Sequence, residues 1–328
     1  MLIDKRIRRL PPNTAACLGA FDGFHLGHRA LLQLARSLAP LLAVVTFDPH
    51  PAQLLAPDRA PRLLQTHAQR ARVCAQLGVD RLVLLPFDEA MAAMSPDTFA
   101  VRVLSELAPT TIVVGEDFRF GADRSGYASS LARMLAPHGI AVSSVQAVGN
   151  RELGETRVSS TQIRAHVEAG RLRAAAGLLG RWYSVEGTVI RGAGRGRDLG
   201  FPTANLVCED RLLPPPGTYA AIMARPRTPS ASEPLGPWPA VAHVGPAPTF
   251  QAPSNRASLE VHAIKLNLSQ DKTMYGEPIE VWFVARLRDT RRFTGREALV
   301  QAIGRDVASA TSILDHNALI GSQPRPLD

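Results

Sequence analysis

The chain has 328 residues, of which 45% are hydrophobic and 20% are charged. These values are typical of a globular protein, and the length allows two domains of ordinary size. The formal net charge of +8 attracts nucleic acids and phosphorylated small molecules alike. Because the chain has no run of five consecutive Lys or Arg residues and only 5% aromatic residues, we expect no specific nucleic-acid partner.

The cysteines and the N-terminus indicate a cytoplasmic protein. Cys17, Cys74 and Cys208 are odd in number and form no Cys-x-x-Cys pair, which favours reduced thiols over a disulfide framework or a zinc site. The first nine residues are charged and lack the apolar core of a signal peptide. The apolar stretch at 38–47 is too short to cross a bilayer, so we expect no membrane association.

The first half of the chain alternates predicted strands and helices, identified from short apolar runs and from apolar residues at helical spacing. The predicted strands are Ala15–Leu18, Leu41–Phe47, Arg81–Pro86 and Thr111–Val114. One helix is predicted to start after His25, and two more are predicted over Gln65–Leu77 and Pro96–Leu107. Because fully apolar strands alternate with helices, we predict an α/β domain with a parallel sheet covered on both faces.

The second half has a different character. Ile163–Leu179 is predicted to be one Ala-rich connecting helix, and alternating apolar residues with frequent turns then predict an antiparallel β domain, either a sandwich or a barrel. The predicted strands lie at Tyr183–Ile190, Thr218–Met223, Ala240–Val244, Leu259–Ile264 and Ile279–Leu287. A flexible Pro-rich loop is predicted over Arg225–Pro239, a helix over Glu297–Leu314, and disorder from Gly321. We predict domains at 1–180 and 181–320.

The segment Gly19–His28 places two histidines at a predicted strand-to-helix transition. A helix N-terminus binds phosphate through its unpaired backbone N–H groups, and Gly23 and Gly27 allow a phosphate to approach the backbone closely. His25 and His28 can share one helix face, donate hydrogen bonds to phosphoryl oxygens and stabilise charge as pyrophosphate leaves. Two alternatives stay open: one histidine caps the helix while the other is solvated, or the pair binds a metal, although no Cys or carboxylate cluster is near in sequence.

A glycine-rich segment, residues 187–205, ends in Pro202-Thr203-Ala204-Asn205. Its glycines can form a loop over phosphates, but their spacing matches neither the dinucleotide fingerprint nor a Walker A loop, and a flexible hairpin is the simpler interpretation. Thr203 and Asn205 alternate along an extended segment, so their side chains point the same way. A hydroxyl and an amide oxygen are hard ligands suited to Mg²⁺ bound to nucleotide phosphates.

In their order along the chain, these motifs resemble those of the bacterial bifunctional riboflavin kinase/FAD synthetases. Gly19–His28 resembles the His-x-Gly-His signature of nucleotidyltransferases. Matches to the same half of the family are Val45–Pro51, Val113–Gly121 and Arg157–Arg164. Matches to the riboflavin kinase half are Gly187–Asn205, Leu213–Ala220, His243–Phe250 and Leu259–His262. The resemblance covers residues 14–315.

The resemblance implies a Rossmann-like α/β nucleotidyltransferase domain, followed by an antiparallel β-barrel riboflavin-kinase-like domain with a C-terminal helix. It implies that the barrel phosphorylates riboflavin with ATP to give FMN. The first domain would then join FMN to the AMP moiety of a second ATP, giving FAD and pyrophosphate. Both steps are expected to need Mg²⁺. We expect small-molecule substrates, flavin-dependent apoproteins as recipients of the products, and a monomer or weak homo-oligomer.

The resemblance also implies residue roles. Ser160, Thr161 and Arg164 would grip the nucleotide phosphates, and Asp117 would help to hold the flavin or adenylate end. Glu260 would accept the proton of the riboflavin 5′-hydroxyl as that oxygen attacks the γ-phosphate. With His25 and His28 as catalytic residues and Thr203 and Asn205 as metal ligands, the remaining candidates bind nucleotide or flavin. They are Gly19, Phe21, Asp22, Gly23, Arg157, Gly192, Gly194, Gly196, Arg197, Gly200 and Pro202.

Three features depart from the family pattern. His243 occupies a position that is commonly Asn, and the loops at 225–239 and 267–276 are longer than usual. They bear on the flavin site and on the rate of the kinase. Two other functions stay open: a different nucleotidyltransferase, such as a cytidylyltransferase or pantetheine-phosphate adenylyltransferase, fused to an unrelated β domain, and a basic nucleic-acid-binding protein that has lost catalysis.

Overall fold

The computed structural model describes residues 1–192, 194–208, 211–226, 236–246, 257–264 and 274–316. The tail predicted from Gly321 lies outside these ranges, as do 247–250 and most of the two long loops. The chain divides into two compact units. The first unit is Met1–Arg62 with His67–Ser159, and the second is Leu63–Thr66 with Ser160–Asp328.

The first unit is built on a six-stranded sheet in which every neighbouring pair is parallel, with strand order β1-β4-β3-β2-β5-β8. Its strands, together with the small antiparallel hairpin β6–β7, are β1 (Leu2–Asp4), β2 (Thr14–Leu18), β3 (Leu41–Asp48), β4 (Arg81–Pro86), β5 (Thr111–Gly115), β6 (Arg119–Phe120), β7 (Gly126–Tyr127) and β8 (Ala141–Val145). The four predicted strands are confirmed. β1 and β8 were not predicted; both lie at sheet edges and are only partly buried, so neither has a long apolar run.

Helices connect these strands. They are α1 (Leu26–Leu38), α2 (Pro51–Leu55), α3 (His67–Gln76), α4 (Glu89–Ala92), α5 (Pro96–Phe99), α6 (Ser105–Leu107) and α7 (Ala128–Leu135). A π-helical turn joins α5 to α6, so the helix predicted over Pro96–Leu107 is present with a local widening. Short 3₁₀ turns occur at Pro57–Arg59, Ala122–Arg124 and Ala136–His138.

The parallel sheet is covered on both faces, as predicted. Successive side chains of a strand point to opposite faces. Ala15 and Cys17 of β2 therefore lie in one buried cluster with the α1 residue Leu31. Ala16 and Leu18 lie in a second buried cluster, which includes Phe99 and Leu131 among others. This arrangement leaves the ends of the strands, rather than the faces, for ligand contact.

The second unit begins with two helices, α8 (Ser160–Glu168) and α9 (Leu172–Leu179). The single helix predicted over Ile163–Leu179 was wrong because Gly170 lies between them with φ +69°. That left-handed conformation is accessible to glycine at little cost, and it ends α8. The segment Leu63–Thr66 also belongs to this unit: Leu63 pairs with Arg211, and Arg211 Nη1 donates to the Gln65 carbonyl at 3.1 Å.

The rest of the second unit is a closed antiparallel barrel, which settles the choice between sandwich and barrel. Its strand order is β10-β13-β12-β11-β14-β9. In chain order its elements are β9 (Tyr183–Ile190), α10 (Arg195–Asp198), β10 (Ala204–Val207), β11 (Gly217–Ala224), β12 (Trp238–Pro246), β13 (Ala257–Ala263), β14 (Pro278–Asp289) and α11 (Arg296–His316).

The barrel has an inner and an outer face. The rings of Tyr219 and Phe283 meet edge to face, with centroids 5.5 Å apart, among the buried barrel residues. Alternate residues face outward, and Ala220 and Val241 form a buried cluster with Ala310 of α11. The helix α11 therefore covers part of the outer face. None of the described helices is long and apolar enough to span a membrane.

Candidate functional sites

The loop after β2 lies at the position where ligands bind in open α/β sheets. β2 has β3 on one side and β5 on the other, so the strand order reverses at β2. Ligands bind at the carboxyl ends of the strands at such a switch point. The loop is tied to β3 because the Gly19 N–H donates to the Val45 carbonyl at 3.2 Å and the Thr46 hydroxyl donates to the Ala20 carbonyl at 2.9 Å.

The same loop holds a strained backbone. Phe21 has φ +47° and Phe24 has φ +42°, both in the left-handed region that only glycine adopts easily. Each such residue costs about 1–3 kcal/mol. Both rings are fully buried and stack with centroids 5.2 Å apart, and Asp22 between them is also buried. Since strain of this kind persists where surrounding packing enforces it, and clusters at functional sites, the loop is a candidate site on geometric grounds.

The structure brings the two histidines of this loop together at the start of α1. His25 is the N-cap, and its Nδ1 accepts a hydrogen bond from the backbone N–H of His28 at 3.4 Å. The two rings stack with centroids 3.7 Å apart, and the His28 ring also contacts Phe21 at 4.8 Å. His25 therefore caps the helix, as one of the two alternatives for the histidine pair proposed. That alternative also left the other histidine solvated, whereas the His28 ring packs against His25.

Gly27 leaves room for the ring of His25. A Cβ there would lie 3.1 Å from Nδ1 and Cε1 of the His25 ring and 3.5 Å from the Val158 carbonyl oxygen. The His25 ring therefore lies directly over the backbone of the first helical turn. The contact also shows that Val158, in the segment resembling the family's phosphate-binding motif, lies beside this turn.

Asp117 and Arg157 form an ion pair within the first unit. Asp117 follows the carboxyl end of β5, and Gly115 leaves room for it, since a Cβ at 115 would lie 3.0 Å from Asp117 Oδ1. Both side chains are about half exposed, at 54% and 53%. The two predicted binding residues therefore meet in an accessible place, although they are 40 positions apart in sequence.

Ser160, Thr161 and Arg164 lie at the start of α8. Ser160 and Arg164 are four residues apart and so share one face of that helix. The helix that was predicted to begin at Ile163 begins three residues earlier, at Ser160.

In the barrel, two residues predicted to act together are direct neighbours. Asn205 of β10 lies opposite Glu260 of β13 in the strand register. Directly opposite residues on antiparallel strands have Cβ atoms about 4.5–5.5 Å apart on the same face. Both side chains are partly buried. The predicted magnesium ligand and the predicted base therefore lie side by side on the outer face.

The glycine-rich segment packs directly on the predicted magnesium ligands. A Cβ at Gly192 would overlap the amide of Asn205, and a Cβ at Gly196 would lie 3.0 Å from the hydroxyl oxygen of Thr203. The segment contains the one-turn helix α10. A backbone hydrogen bond of 3.0 Å lies at each end of it: the Arg197 N–H donates to the Gly194 carbonyl, and the Gly200 N–H donates to the Arg197 carbonyl. The described residues 194–200 therefore contain a helical turn, which the hairpin considered above did not include.

His262 is a residue to which the sequence argument gave no role. Its Nδ1 lies 2.9 Å from the Pro202 carbonyl oxygen, and its ring meets Phe201 edge to face at 5.5 Å. Because a carbonyl only accepts, Nδ1 carries the hydrogen. His262 is two positions from Glu260 on the same face of β13, and this alternation was the signal that could have identified it.

Three further residues, which lie near His243 of β12, were also missed. Arg288 Nε lies 3.0 Å from both carboxylate oxygens of Asp306, and Arg288 Nη2 lies 2.8 Å from Asp306 Oδ2. Asp306 lies on the buried stripe of α11, between Ala302 and Ala310. A charged residue in an otherwise apolar helical stripe was the available signal. The third residue, Thr218 of β11, is buried and lies opposite Arg288.

Two protein-family models match consecutive parts of the chain. The family model described as FAD synthetase matches residues 7–162, and the model described as riboflavin kinase matches residues 179–314. The bifunctional riboflavin kinase/FMN adenylyltransferase of Pseudomonas fluorescens is 35% identical over 321 residues, 95% of this chain and 98% of its own. The protein of the same name from Escherichia coli K12 is 34% identical, covering 89% and 90%.

A solved structure extends the likeness to the fold of the whole chain. It comes from Streptococcus pneumoniae, is described as a macrolide-efflux protein, and has a TM-score of 0.80 with 29% identity over 95% of this chain and 99% of its own. The two family matches argue against both a different nucleotidyltransferase and an unrelated β domain. With relatives above 30% identity over nearly its full length, the chain belongs to the family of bifunctional riboflavin kinase/FMN adenylyltransferases.

Proposed function

We propose that the two activities of this enzyme use separate sets of residues, one in each predicted domain. The chain phosphorylates riboflavin with ATP to FMN and adenylylates FMN with a second ATP to FAD and pyrophosphate. The first reaction is assigned to the outer face of the barrel around Glu260, and the second to the Gly19–His28 loop. The boundary between the two activities at residues 180 and 181 stays a prediction.

The observation that carries the kinase assignment is the register of β10 and β13, which sets Glu260 beside Asn205. Glu260 accepts the proton of the riboflavin 5′-hydroxyl as that oxygen forms its bond to the γ-phosphorus of ATP. The bond to the bridging oxygen then breaks, and ADP leaves. A positioned carboxylate is suited to this proton transfer, and phosphoryl transfer otherwise requires mainly alignment and charge neutralisation.

Thr203 and Asn205 fit the Mg²⁺ that such a reaction uses. Their hydroxyl and amide oxygens are hard ligands, and Mg²⁺ usually completes its shell with water and phosphate oxygens. The close approach of Gly192 and Gly196 leaves both side chains beside a backbone loop. When bound, the ion neutralises the phosphate charge that develops during transfer. We assign Gly194, Arg197, Gly200 and Pro202 to the same nucleotide-binding segment.

In the adenylyl transfer, an oxygen of the FMN phosphate attacks the α-phosphorus of ATP, and pyrophosphate leaves. The attacking group is already an anion, so no general base is needed. His25 and His28 donate hydrogen bonds that stabilise the developing charge, while Gly19, Phe21, Asp22 and Gly23 form the strained loop beneath them. The stacked rings at the start of α1 support this assignment.

The remaining binding residues are assigned from their positions. We propose that Asp117 and Arg157, joined in an ion pair, help to hold the flavin or adenylate end. Ser160, Thr161 and Arg164 are assigned to phosphate binding because hydroxyls and a guanidinium at a helix start form an anion site.

The test uses purified chain, riboflavin, ATP and Mg²⁺, with FMN and FAD separated by chromatography. Glu260→Gln should lower FMN formation at least about 100-fold and leave FAD formation from added FMN intact. His28→Ala should lower FAD formation about 100-fold and leave FMN formation intact. Glu297→Gln and His138→Ala change exposed residues of the same types and should change neither rate by more than about twofold. Loss of both activities in a folded Glu260→Gln or His28→Ala variant would contradict two separate sites.

A magnesium titration tests the metal ligands separately. Thr203→Ala and Asn205→Ala should raise the Mg²⁺ concentration needed for half-maximal FMN formation, because each variant removes one oxygen ligand. The Mg²⁺ dependence of FAD formation should stay that of the unaltered chain. An unchanged Mg²⁺ requirement for FMN formation in both variants would contradict the assignment.

We further propose a cytoplasmic location, with flavin-dependent apoproteins as recipients of FMN and FAD and a monomer or weak homo-oligomer as the assembly. The location is supported by three cysteines without a disulfide. Burial raises the pKa of the Cys74 and Cys208 thiols to about 12, so neither is a reactive thiolate. Cell fractionation tests the location, and light scattering across a concentration series tests the assembly.

A further inference from the structure

A row of polar residues crosses the outer face of the barrel. The register pairs Asn205 with Glu260, Glu260 with His243, His243 with Thr218, and Thr218 with Arg288. These residues lie on five consecutive strands, β10, β13, β12, β11 and β14. Directly opposite residues place their side chains on one face. The row therefore leads from the proposed metal ligand to the Arg288–Asp306 ion pair.

His243 lies at the centre of this row. Its Nδ1 is 3.4 Å from the Thr218 hydroxyl oxygen, and its Nε2 would be 3.0 Å from a Cβ at Gly245. The ring is therefore held at Nδ1 by a buried hydroxyl and passes over a residue that has no side chain. Its neighbour on the other side is Glu260.

The chemistry of this position favours a polar role over simple filling of space. Burial lowers the pKa of His243; Glu260 opposes that shift and Arg288 adds to it. The ring is therefore neutral near pH 7 and has one donor and one acceptor nitrogen. Arg288 already forms an ion pair with Asp306, which lies in the buried stripe of α11. In the strand register, His243 of β12 is the residue of the row directly opposite Glu260 on that side.

We propose that His243 is a positioning residue for riboflavin phosphorylation: held by Thr218, its imidazole fixes the carboxylate of Glu260 in the orientation that accepts the riboflavin hydroxyl proton. The inference rests on the proposed role of Glu260 as the base. His243 acts through Glu260 and takes no proton from the substrate. An orienting group of this kind affects the chemical step more than the binding of riboflavin or ATP.

Two substitutions separate polarity from volume. His243→Phe keeps a ring of similar size without nitrogen atoms, and His243→Asn keeps a donor and an acceptor with less volume. We expect His243→Phe to lower kcat for FMN formation about tenfold with both KM values within about twofold, and His243→Asn to retain at least about one third of kcat. Thr218→Val should lower kcat about two- to fivefold, because it removes the hydroxyl that holds the ring.

FAD formation from FMN is the internal control for folding, since it is assigned to other residues. It should be unchanged in all three variants. A His243→Phe variant with full kcat, or a His243→Asn variant that loses activity while His243→Phe retains it, would overturn the positioning role in favour of packing.

The Glu260→Gln variant distinguishes this inference from the assignment on which it rests. If Glu260 is the base, the further substitution His243→Phe should change the residual rate by less than about twofold, because both residues act through one carboxylate. Full activity of Glu260→Gln would overturn the base assignment and this inference together. An inactive Glu260→Gln with a fully active His243→Phe would overturn this inference alone.

Discussion

The two candidate sites are built in different ways. In the first unit, His25 and His28 lie in a loop and first helical turn whose geometry depends on a strained backbone at Phe21 and Phe24. In the barrel, Asn205, Glu260 and His243 are neighbours because the strands pair in one register. A site of the first kind depends on local backbone angles, whereas a site of the second kind depends on the pairing of whole strands.

This difference predicts how each site responds to damage. A change at Gly27 or His28 should affect one reaction and leave the fold intact, because neither residue belongs to the buried cluster that holds Phe21 and Phe24. A change in the barrel row should affect stability as well as activity, since its polar groups are partly buried and pair with one another.

The largest effect is expected from Arg288→Met. This substitution leaves Asp306 buried without its partner, and removal of one member of a buried ion pair costs about 3–5 kcal/mol of unfolding free energy. Denaturant unfolding of the full chain measures the loss. The double variant Arg288→Met/Asp306→Leu should recover most of it, because two apolar residues no longer bury a lone charge. Arg305→Met, at an exposed position of α11, is the control. An unaltered stability of Arg288→Met would remove the distinction between the two sites.

Gly192→Ala should come next. Its methyl group would overlap the Asn205 amide, so Asn205 must move from its place beside Glu260. Displacement of a catalytic group by about 1 Å costs about 100-fold in rate. We expect that loss in FMN formation, measured at saturating Mg²⁺, with FAD formation unchanged. Normal FMN formation would show that the reaction does not depend on the position of the Asn205 amide beside Glu260.

Gly27→Ala makes the matching test in the loop. The added methyl group would lie 3.1 Å from the His25 ring, a contact that a small ring movement relieves. We expect FAD formation to fall about tenfold with no loss of stability, a smaller change than that at Gly192. The control is Gly304→Ala in α11, where the added Cβ has no atom within 4 Å apart from the neighbouring backbone of its own helix. That variant should keep both activities and gain about 0.5–1 kcal/mol of stability.

The smallest effect concerns pH. The unfolded chain binds a proton at His243 at a higher pH than the folded chain, because burial lowers the folded pKa; Glu260 and Asp306 oppose this and Arg288 adds to it. Stability present above about pH 6.5 is therefore lost as the pH falls through the folded pKa. The unfolding temperature should drop more between pH 7.5 and 5.5 for the unaltered chain than for His243→Asn. Equal drops would show that His243 does not couple pH to stability.

The sequence predicted the elements better than their assembly. The strands near Leu41–Phe47 and Arg81–Pro86 lie inside the sheet and carry continuous apolar runs, at 41–45 and 82–85, so their patterns were unambiguous. β8 contains two serines at a sheet edge, where burial imposes no apolar pattern. The division of residues 163–179 into two helices depends on one backbone angle at Gly170, and an Ala-rich pattern continues through it.

In the candidate sites, too, features that depend on neighbouring residues could be predicted, whereas features that depend on distant segments could not. The alternation of Thr203 and Asn205 could be inferred from the sequence because it depends on neighbouring residues of one strand. The pairing of Glu260 with Asn205 could not, because strand register is a relation between segments 55 positions apart, and a shift of one residue would reverse the faces. The same reason explains why three residues were missed: His262, Thr218 and Asp306. Each of them contacts a partner residue that lies elsewhere in the sequence.

The segment Leu63–Thr66 has a consequence for the modularity of the enzyme. These four residues precede α3 in the chain, yet they belong to the compact unit that contains the barrel, where Leu63 and Gln65 contact Arg211. A gene fragment that starts at residue 160 or 181 would encode every barrel strand and still lack this piece. Such a fragment would leave Arg211 without the strand pairing to Leu63 and the hydrogen bond to the Gln65 carbonyl.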